Sequence, residues 1–388
     1  MNFSELKEKD KEYIAGTYNR FAVDIYEGNG ATLRSADGKE YIDFGSGIAV
    51  NIFGVNDREW KDAVISQINK VQHACNLYYT QPQADLAELL CKKTGAKKVF
   101  FSNSGAEANE CAIKAARKYS FDKYGEGRYE IVTLKNSFHG RTLATLSATG
   151  QPAMHKYFMP FVDGFSYADP NFEGVSGLCG KKTCAVMLEL VQGESGVNPL
   201  DKEQVKKIAE FCKKRDILLI VDEVQTGNGR TGKLYCYQNY GIMPDIVTTA
   251  KGLAGGLPLG ATMFFEKCEH TLNAGDHGST FGGNPVACAG ALSILKRIDD
   301  QQMLEVQGKS DYLKTHLSRI KNVLSVTGIG LMLGLEINGN AREVADRCLK
   351  KGLIVLTAKN KLRLLPPLTI GKGEIDEGLR ILNEVLSE

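Results

Sequence analysis

The sequence predicts an α/β protein with a large domain, built on a mostly parallel sheet flanked by helices, and a smaller α+β domain assembled from both chain ends. Three observations point there. From about residue 50 to about residue 300, apolar runs of strand length alternate with amphipathic helical stretches. Those runs lack polar alternation, as expected for strands covered on both faces. The flanks read differently, with turn signals between short strands before residue 50 and mixed helices and strands after 300.

Taken in order, "VDIYEGNGATLRSADGKEYIDF" carries the turn signals "EGNG" and "ADGKE", which predict a small antiparallel hairpin. The strand candidates of the large domain are 99–102, 131–134, 185–190, 218–221, 246–249 and 261–265. Ala108, Cys111, Ala112, Ala115, Ala116 and Tyr119 form one apolar stripe at helical spacing, and 204–215 behaves similarly. After residue 300 a long helix precedes a strand–helix–strand–helix pattern. The expected division is 51–299 for the large domain, with 1–50 and 300–388 contributing to the small one.

The 388 residues are 43% hydrophobic and 24% charged, which is ordinary for a globular chain of this length. Lys and Arg number 48 against 46 for Asp and Glu, so there is no electrostatic case for nucleic acid or an anionic membrane. No apolar stretch reaches the roughly 18–20 residues that span a bilayer. The charged start "MNFSELKEKDKEYIAG" has no apolar signal core, and the expected location is the cytoplasm. The ten cysteines form no CxxC pair and read as small buried hydrophobes in a reducing compartment. The six histidines are dispersed, and no metal site is expected.

Ligands of open α/β sheets bind beyond the carboxyl ends of the strands, and four unusual segments fall at such ends. In "VFFSNSGAEANE" a strand gives way to Ser104, Gly105 and Ala106 at a helix start, the form of a phosphate cup. In "TLKNSFHGRT", Phe138 and Arg141 could supply a stacking face and a carboxylate fork. "ILLIVDEVQTGNGR" ends its apolar run in Asp222 and Glu223, and "IVTTAKGLAGG" ends in Lys251. Each alone also fits a capped helix, a core ring, a surface turn or a snorkelling lysine. Together they match the needs of a pyridoxal cofactor: an amine for a Schiff base, an acid for the ring nitrogen, a phosphate cradle and a ring contact.

The motifs "SNSGAEANE", "SFHGRT", "LELVQGESG", "VDEVQTGNGRTG", "TTAKGLAGGLPLGA" and "HGSTFGGNP", in this order, resemble those of the class III pyridoxal-phosphate aminotransferases of fold type I. The similarity runs from "GTYNRF" to "LRLLPPL". One segment departs: "FGVNDREW" stands where members have "LGHxHP", and two histidines, read as structural, are missing. The resemblance implies pyridoxal 5'-phosphate bound through Lys251, which would also move the substrate proton. Asp222 would pair with the ring nitrogen, flanked by Glu223 and Val224 in the cofactor's contact set. Gln225 would lie near the ring oxygen, Phe138 would stack on the ring, and Gly105 and Ala106 would give N–H groups to the phosphate. Thr280, with Ser279, would reach the phosphate of a second subunit, making a homodimer with shared sites. Arg141, with Tyr18 nearby, would hold the far carboxylate of the substrate. Arg363 would hold the α-carboxylate of glutamate, and Glu194 would cover that arginine when the donor lacks such a group.

In ornithine-specific members a tyrosine stands in the segment matching "DFGSGIAVN", at a position that here reads as Gly47. A small residue leaves room for an acyl group. The donor this implies is N-acetylornithine, with 2-oxoglutarate as acceptor. Succinylornithine, succinyl-diaminopimelate, free ornithine, or an aminomutase reaction on the same scaffold stand as alternatives.

Overall fold

The computed structural model describes residues 2–388. Seven strands form the central sheet: Lys98–Ser102 (β1), Glu130–Leu134 (β2), Phe165–Ala168 (β3), Thr183–Leu188 (β4), Leu218–Asp222 (β5), Ile246–Thr249 (β6) and Gly260–Phe264 (β7). Their order is β1-β7-β6-β5-β4-β2-β3. Only β7 runs against its neighbours. Because β1 and β6 flank β7 and run the same way, β1, β5 and β6 all leave the sheet at one edge. That edge delivers Ser102, Asp222 and Thr249.

Side chains alternate across these strands even though the sequence does not alternate. Ala185, Met187, Leu218 and Ile220 pack on one face, while Val186, Leu188, Leu219 and Val221 pack on the other. Both faces are buried, so both must be apolar. The helix Gly105–Tyr124 covers the first face with Ala108, Cys111, Ala112, Ala115 and Ala116, small residues that allow close approach.

Two strand readings differ from the sequence expectation. The run at 185–190 ends as a strand at Leu188, because the Glu189 carboxylate turns to accept the Phe138 N–H. β3 went unforeseen: its Phe165, Ser166 and Tyr167 are only half-buried at the sheet edge, so no apolar run marks them.

Near the N-terminus, Glu27–Asn29, Thr32–Arg34 and Glu40–Asp43 form an antiparallel meander. Leu353–Ile354 joins it in parallel, with Leu353 opposite Ile42. A second sheet contains Val323–Ile329, Met332–Ile337, Lys361–Leu364 and Leu356–Ala358 in that order, and places Arg363 opposite Gly334. Among the described residues no helix is long and apolar enough to cross a membrane.

Between the meander and the large sheet the chain does something rare. Ser46, Gly47, Ile48 and Ala49 all have left-handed backbones, with φ of 46°, 60°, 64° and 64°. For residues with a Cβ this costs roughly 1–2 kcal/mol each. The Asp43 carboxylate accepts the Gly45 and Ser46 N–H groups at 2.7 and 2.9 Å and so fixes the entry to this turn.

In the departing segment "FGVNDREW", Asp57 caps the helix Arg58–Ile68 and grips Arg297 at 2.7 and 2.9 Å. The Trp60 indole donates to the Ala254 carbonyl at 2.9 Å, three residues from Lys251. This segment is thus anchored by a carboxylate–guanidinium pair and an indole hydrogen bond.

All ten cysteines are free thiols, and only Cys75 and Cys91 are not buried. Burial pushes Cys111, Cys184, Cys288 and Cys348 up to about 12, far from the thiolate form that reacts. A disulfide reagent is therefore expected to titrate no more than two thiols in the native protein and all ten in denaturant. Rapid reaction of a third native thiol would contradict this packing.

Candidate active site

Asp222 ends β5 in a cavity of about 400 Å³ that lies beyond the carboxyl ends of the strands. Its Oδ2 lies 2.8 Å from both the Asn109 side-chain amide and His139 Nδ1, and its Oδ1 accepts the Val224 N–H at 3.0 Å. The Asn109 amide donates to the His139 carbonyl at 2.7 Å, and its oxygen accepts the Thr248 hydroxyl at 2.7 Å. One carboxylate is thus clamped by groups from the 105–124 helix, the loop after β2 and its own following loop, with Thr248 of β6 holding Asn109 in turn.

Lys251 follows β6 at the head of a short turn, Lys251–Ala254, with φ of 42°. It lines the same cavity as Asp222. Among the described residues its amine has no hydrogen-bond or ion-pair partner. Burial lowers its affinity for a proton; the Arg363 charge adds to this, while Glu194, Asp222 and Glu189 oppose it. An amine that binds its proton less tightly is more often in the neutral form that can attack a carbonyl.

Opposite these groups lies the start of the 105–124 helix. Ser104 caps it, its hydroxyl accepting the Glu107 N–H at 3.2 Å, and the first-turn N–H groups of Gly105 and Ala106 have no intrahelical acceptor. A Cβ on Gly105 would fall 2.6 Å from Val224, so only glycine fits between the helix start and the Asp222 loop. Phe138 lines the cavity, with the Arg141 guanidinium 5.5 Å from its ring centre. Glu189, also in the wall, is pushed well above the ordinary carboxylate range by burial and then by the Asp222 charge.

A second cluster adjoins the first through Gln225. Arg363, 3% exposed, donates to Glu194 at 2.6 Å and to the Gln225 carbonyl at 3.1 Å. The Gln225 amide lies 3.4 Å from the same Glu194 oxygen. Burial works against the Glu194 charge, but Arg363 overcomes it and holds Glu194 below the ordinary range. Gly193 gives room for this triad, since a Cβ there would meet Gln225 at 2.5 Å.

Of the residues singled out in the sequence, Gly105, Ala106, Phe138, Arg141, Asp222, Val224, Gln225 and Lys251 share the cavity. Arg363 and Glu194 stand beside it. Glu223 faces away: it accepts the Tyr237 N–H at 2.7 Å and the Thr226 hydroxyl, and burial pushes it up to about 7. Tyr18 is 73% exposed and outside the cavity wall. Ser279 bonds Asn103 at 3.2 Å and Thr280 is exposed. His139 and Asn109 were missed as site residues, although both stand inside the quoted motifs "SFHGRT" and "SNSGAEANE". Nothing in a linear sequence shows that they converge on Asp222.

The class III aminotransferase family model matches residues 13–386. The acetylornithine aminotransferase of Haemophilus ducreyi is 48% identical over the whole of both chains. That of Caldanaerobacter subterraneus subsp. tengcongensis is 44% identical over 98% of each. Among solved structures, the ornithine aminotransferase of Toxoplasma gondii superposes with a TM-score of 0.96 at 26% identity, over 100% of this chain and 95% of that one. The N-acetylornithine aminotransferase of Stenotrophomonas maltophilia gives 0.85 at 33%, over 98% of each. The chain belongs to the class III aminotransferases. The architecture is fold type I, and the cofactor is pyridoxal 5'-phosphate.

Proposed function

We propose that the chain moves the terminal amino group of N-acetylornithine to 2-oxoglutarate, giving N-acetylglutamate 5-semialdehyde and glutamate, a step of arginine biosynthesis in the cytoplasm. Relatives called acetylornithine aminotransferases at 41–48% identity support this reading. The observation that carries it is the Arg363–Glu194 clasp beside the Lys251 amine. An enzyme that alternates between glutamate and a donor lacking a carboxylate at the reacting carbon needs an arginine for one and a cover for it with the other.

The cavity suits the cofactor. It offers a buried carboxylate oriented by hydrogen bonds to both oxygens, an amine without a partner among the described residues, and helix-start N–H groups beside Gly105, in a volume typical of ligand sites. Bound there, the pyridoxal ring supplies an electron sink for the charge left when a substrate C–H proton departs. Lys251 Nζ would hold the cofactor and then carry that proton. Asp222 would face the ring nitrogen, oriented by His139 and Asn109. Gly105 and Ala106 would donate to the phosphate, Phe138 would cover the ring, and Val224 and Gln225 would border it. Arg141 would take the far carboxylate, with Tyr18 nearby.

The same reading includes a homodimer. Leu77, Tyr78, Tyr79 and Phe281 are 88, 69, 106 and 60% exposed, an apolar face unusual for a monomer. Asn76, in the midst of it, holds the Ser279 and Gly282 carbonyls at 3.0 and 2.8 Å. Packed against a second copy, this face would carry Thr280 and Ser279 to the partner's phosphate. We also take 51–299 as the large domain and 1–50 with 300–388 as the small one, in line with the sheet shared by both ends.

A panel of acylated and free ornithine and lysine analogues, each offered with 2-oxoglutarate, tests the function. Transfer is expected to be fastest from N-acetylornithine. Equal or faster transfer from free ornithine, or turnover independent of 2-oxoglutarate, would overturn the assignment.

A further inference from the structure

Lys251 has a left-handed backbone, with φ of 42°. A residue with a Cβ keeps that conformation only where its surroundings impose it. The turn's own backbone bonds are few: the Leu253 N–H donates to the Ala250 carbonyl at 2.8 Å and the Leu257 N–H to the Ala254 carbonyl at 3.4 Å. Those same two carbonyls flank the lysine. Each is also gripped by a side chain from another part of the chain.

Ahead of the lysine the grip is Asn228, in the loop that follows Asp222 and 1% exposed. Its side-chain nitrogen donates to the Thr249 hydroxyl at 3.0 Å and to the Ala250 carbonyl at 3.2 Å. A carbonyl only accepts, so the NH2 group must face it. That leaves Asn228 Oδ1 buried with no partner among the described residues, which costs stability. An apolar side chain would fill the space without that cost. Asn228 also has φ of 59°, which asparagine tolerates, but glycine would meet that need as well. What the amide alone supplies is a tie from the Asp222 loop to the lysine segment. β5 and β6 place Asp222 opposite Thr248, and Asn228 carries that alignment past the end of the sheet to Ala250.

Beyond the lysine the grip is Trp60, whose indole N–H donates to the Ala254 carbonyl at 2.9 Å. A Cβ on Gly255 or on Gly290 would fall 3.0 or 2.8 Å from the indole nitrogen. The ring is therefore boxed between the lysine turn and the helix Pro285–Arg297. Its backbone is fixed too. The Trp60 N–H donates to Asp57 at 2.9 Å, and Asp57 grips Arg297 of that same helix.

We propose that Asn228 and Trp60 are positioning residues for Lys251. They hold its strained turn from either side, through the Ala250 and Ala254 carbonyls, and so set where the amine sits relative to Asp222. The proposal rests on the role given to Lys251 as cofactor anchor and proton carrier.

Two holoenzyme variants test it. Asn228→Gly keeps the positive φ available and removes the amide; Trp60→Phe keeps an aromatic ring and removes the N–H. A misplacement of about 1 Å can cost about a hundredfold in rate. In single turnover with glutamate, the limiting rate is expected to fall about thirtyfold in Asn228→Gly and about fivefold in Trp60→Phe. The half-saturating glutamate concentration should change by about threefold or less. Deuterium at the glutamate α-carbon should slow both variants at least as much as it slows the wild type, because proton transfer is the step that suffers. Release of pyridoxal 5'-phosphate from the holoenzyme, read by visible absorbance after dilution, should be about tenfold faster in Asn228→Gly. Limiting rates within about twofold of wild type, or a loss without the isotope effect, would overturn the proposal. A loss that follows only a lowered Tm, with cofactor release unchanged, would do the same. If Asn228→Gly does not fold, Trp60→Phe decides by the same readings. Wild-type turnover in Lys251→Ala would remove the role of the lysine and the proposal with it. An inactive Lys251→Ala beside unaltered Asn228→Gly and Trp60→Phe would overturn only the bracing.

Discussion

Lys251→Ala is expected to lower kcat by about ten-thousandfold or more, because one amine is asked both to hold the cofactor and to carry the substrate proton. The structure explains why no neighbour can take over. Glu189 is buried and already accepts the Phe138 N–H, and the Asp222 oxygens are occupied by Asn109, His139 and Val224. The Lys251 amine lies in the wall without a partner among the described residues, and burial favours its neutral form. Lys251→Arg is expected to fare no better, since a guanidinium stays protonated and cannot serve as a base. Small primary amines added to Lys251→Ala should restore part of the lost rate, because they can carry the proton from the space left by the side chain. Borohydride should fix a cofactor adduct on Lys251 in the wild type and on no residue in the variant. Turnover within tenfold of wild type, or an adduct on another lysine, would remove the basis for the proposed chemistry.

How much of this was legible in the sequence follows from what each contact depends on. Strands β4 to β7 are buried on both faces, so their apolar runs announce them, and the residues that end them stand out. Asp222 and Lys251 were visible for that reason. β3 has a half-buried, partly polar sequence at the edge of the sheet and gives no such signal. His139 meets Asp222 across 83 residues of chain, and no local pattern encodes that meeting. The turn at 46–49 was illegible for the opposite reason. Local preference argues against Ile48 and Ala49 in a left-handed backbone; the Asp43 carboxylate holds the entry to the turn, and the Phe44 carbonyl just before it accepts the Leu365 N–H from the chain past Arg363. The Asp57–Arg297 pair shows a third case, a contact across 240 residues inside the segment that departs from the motif.

Glu194→Ala should separate the two half-reactions, because they make opposite demands on Arg363. That arginine is 3% exposed, its Nε has no partner among the described residues, and Glu194 is the one carboxylate bound to it there. With glutamate in the site, the substrate's own carboxylate can replace Glu194, so loss of the side chain costs little. With N-acetylornithine, the reacting carbon carries no carboxylate and the guanidinium is left facing an uncharged chain. Breaking a fully buried pair costs about 3–5 kcal/mol. Glu194 keeps 28% of its side chain in solvent and Gln225 still accepts from Arg363, which reduces the penalty. An effect of about 2 kcal/mol, roughly a thirtyfold loss in kcat/KM for the acylated donor, is expected. The glutamate half-reaction, read by single-turnover absorbance, should change by about threefold or less. Glu194→Gln keeps a hydrogen-bond acceptor but no charge, and should fall between the two if charge compensation is the cause. Equal losses in both directions would mean that Glu194 only holds Arg363 in place, and the two-substrate logic of the site would then have to lie elsewhere in the cavity wall.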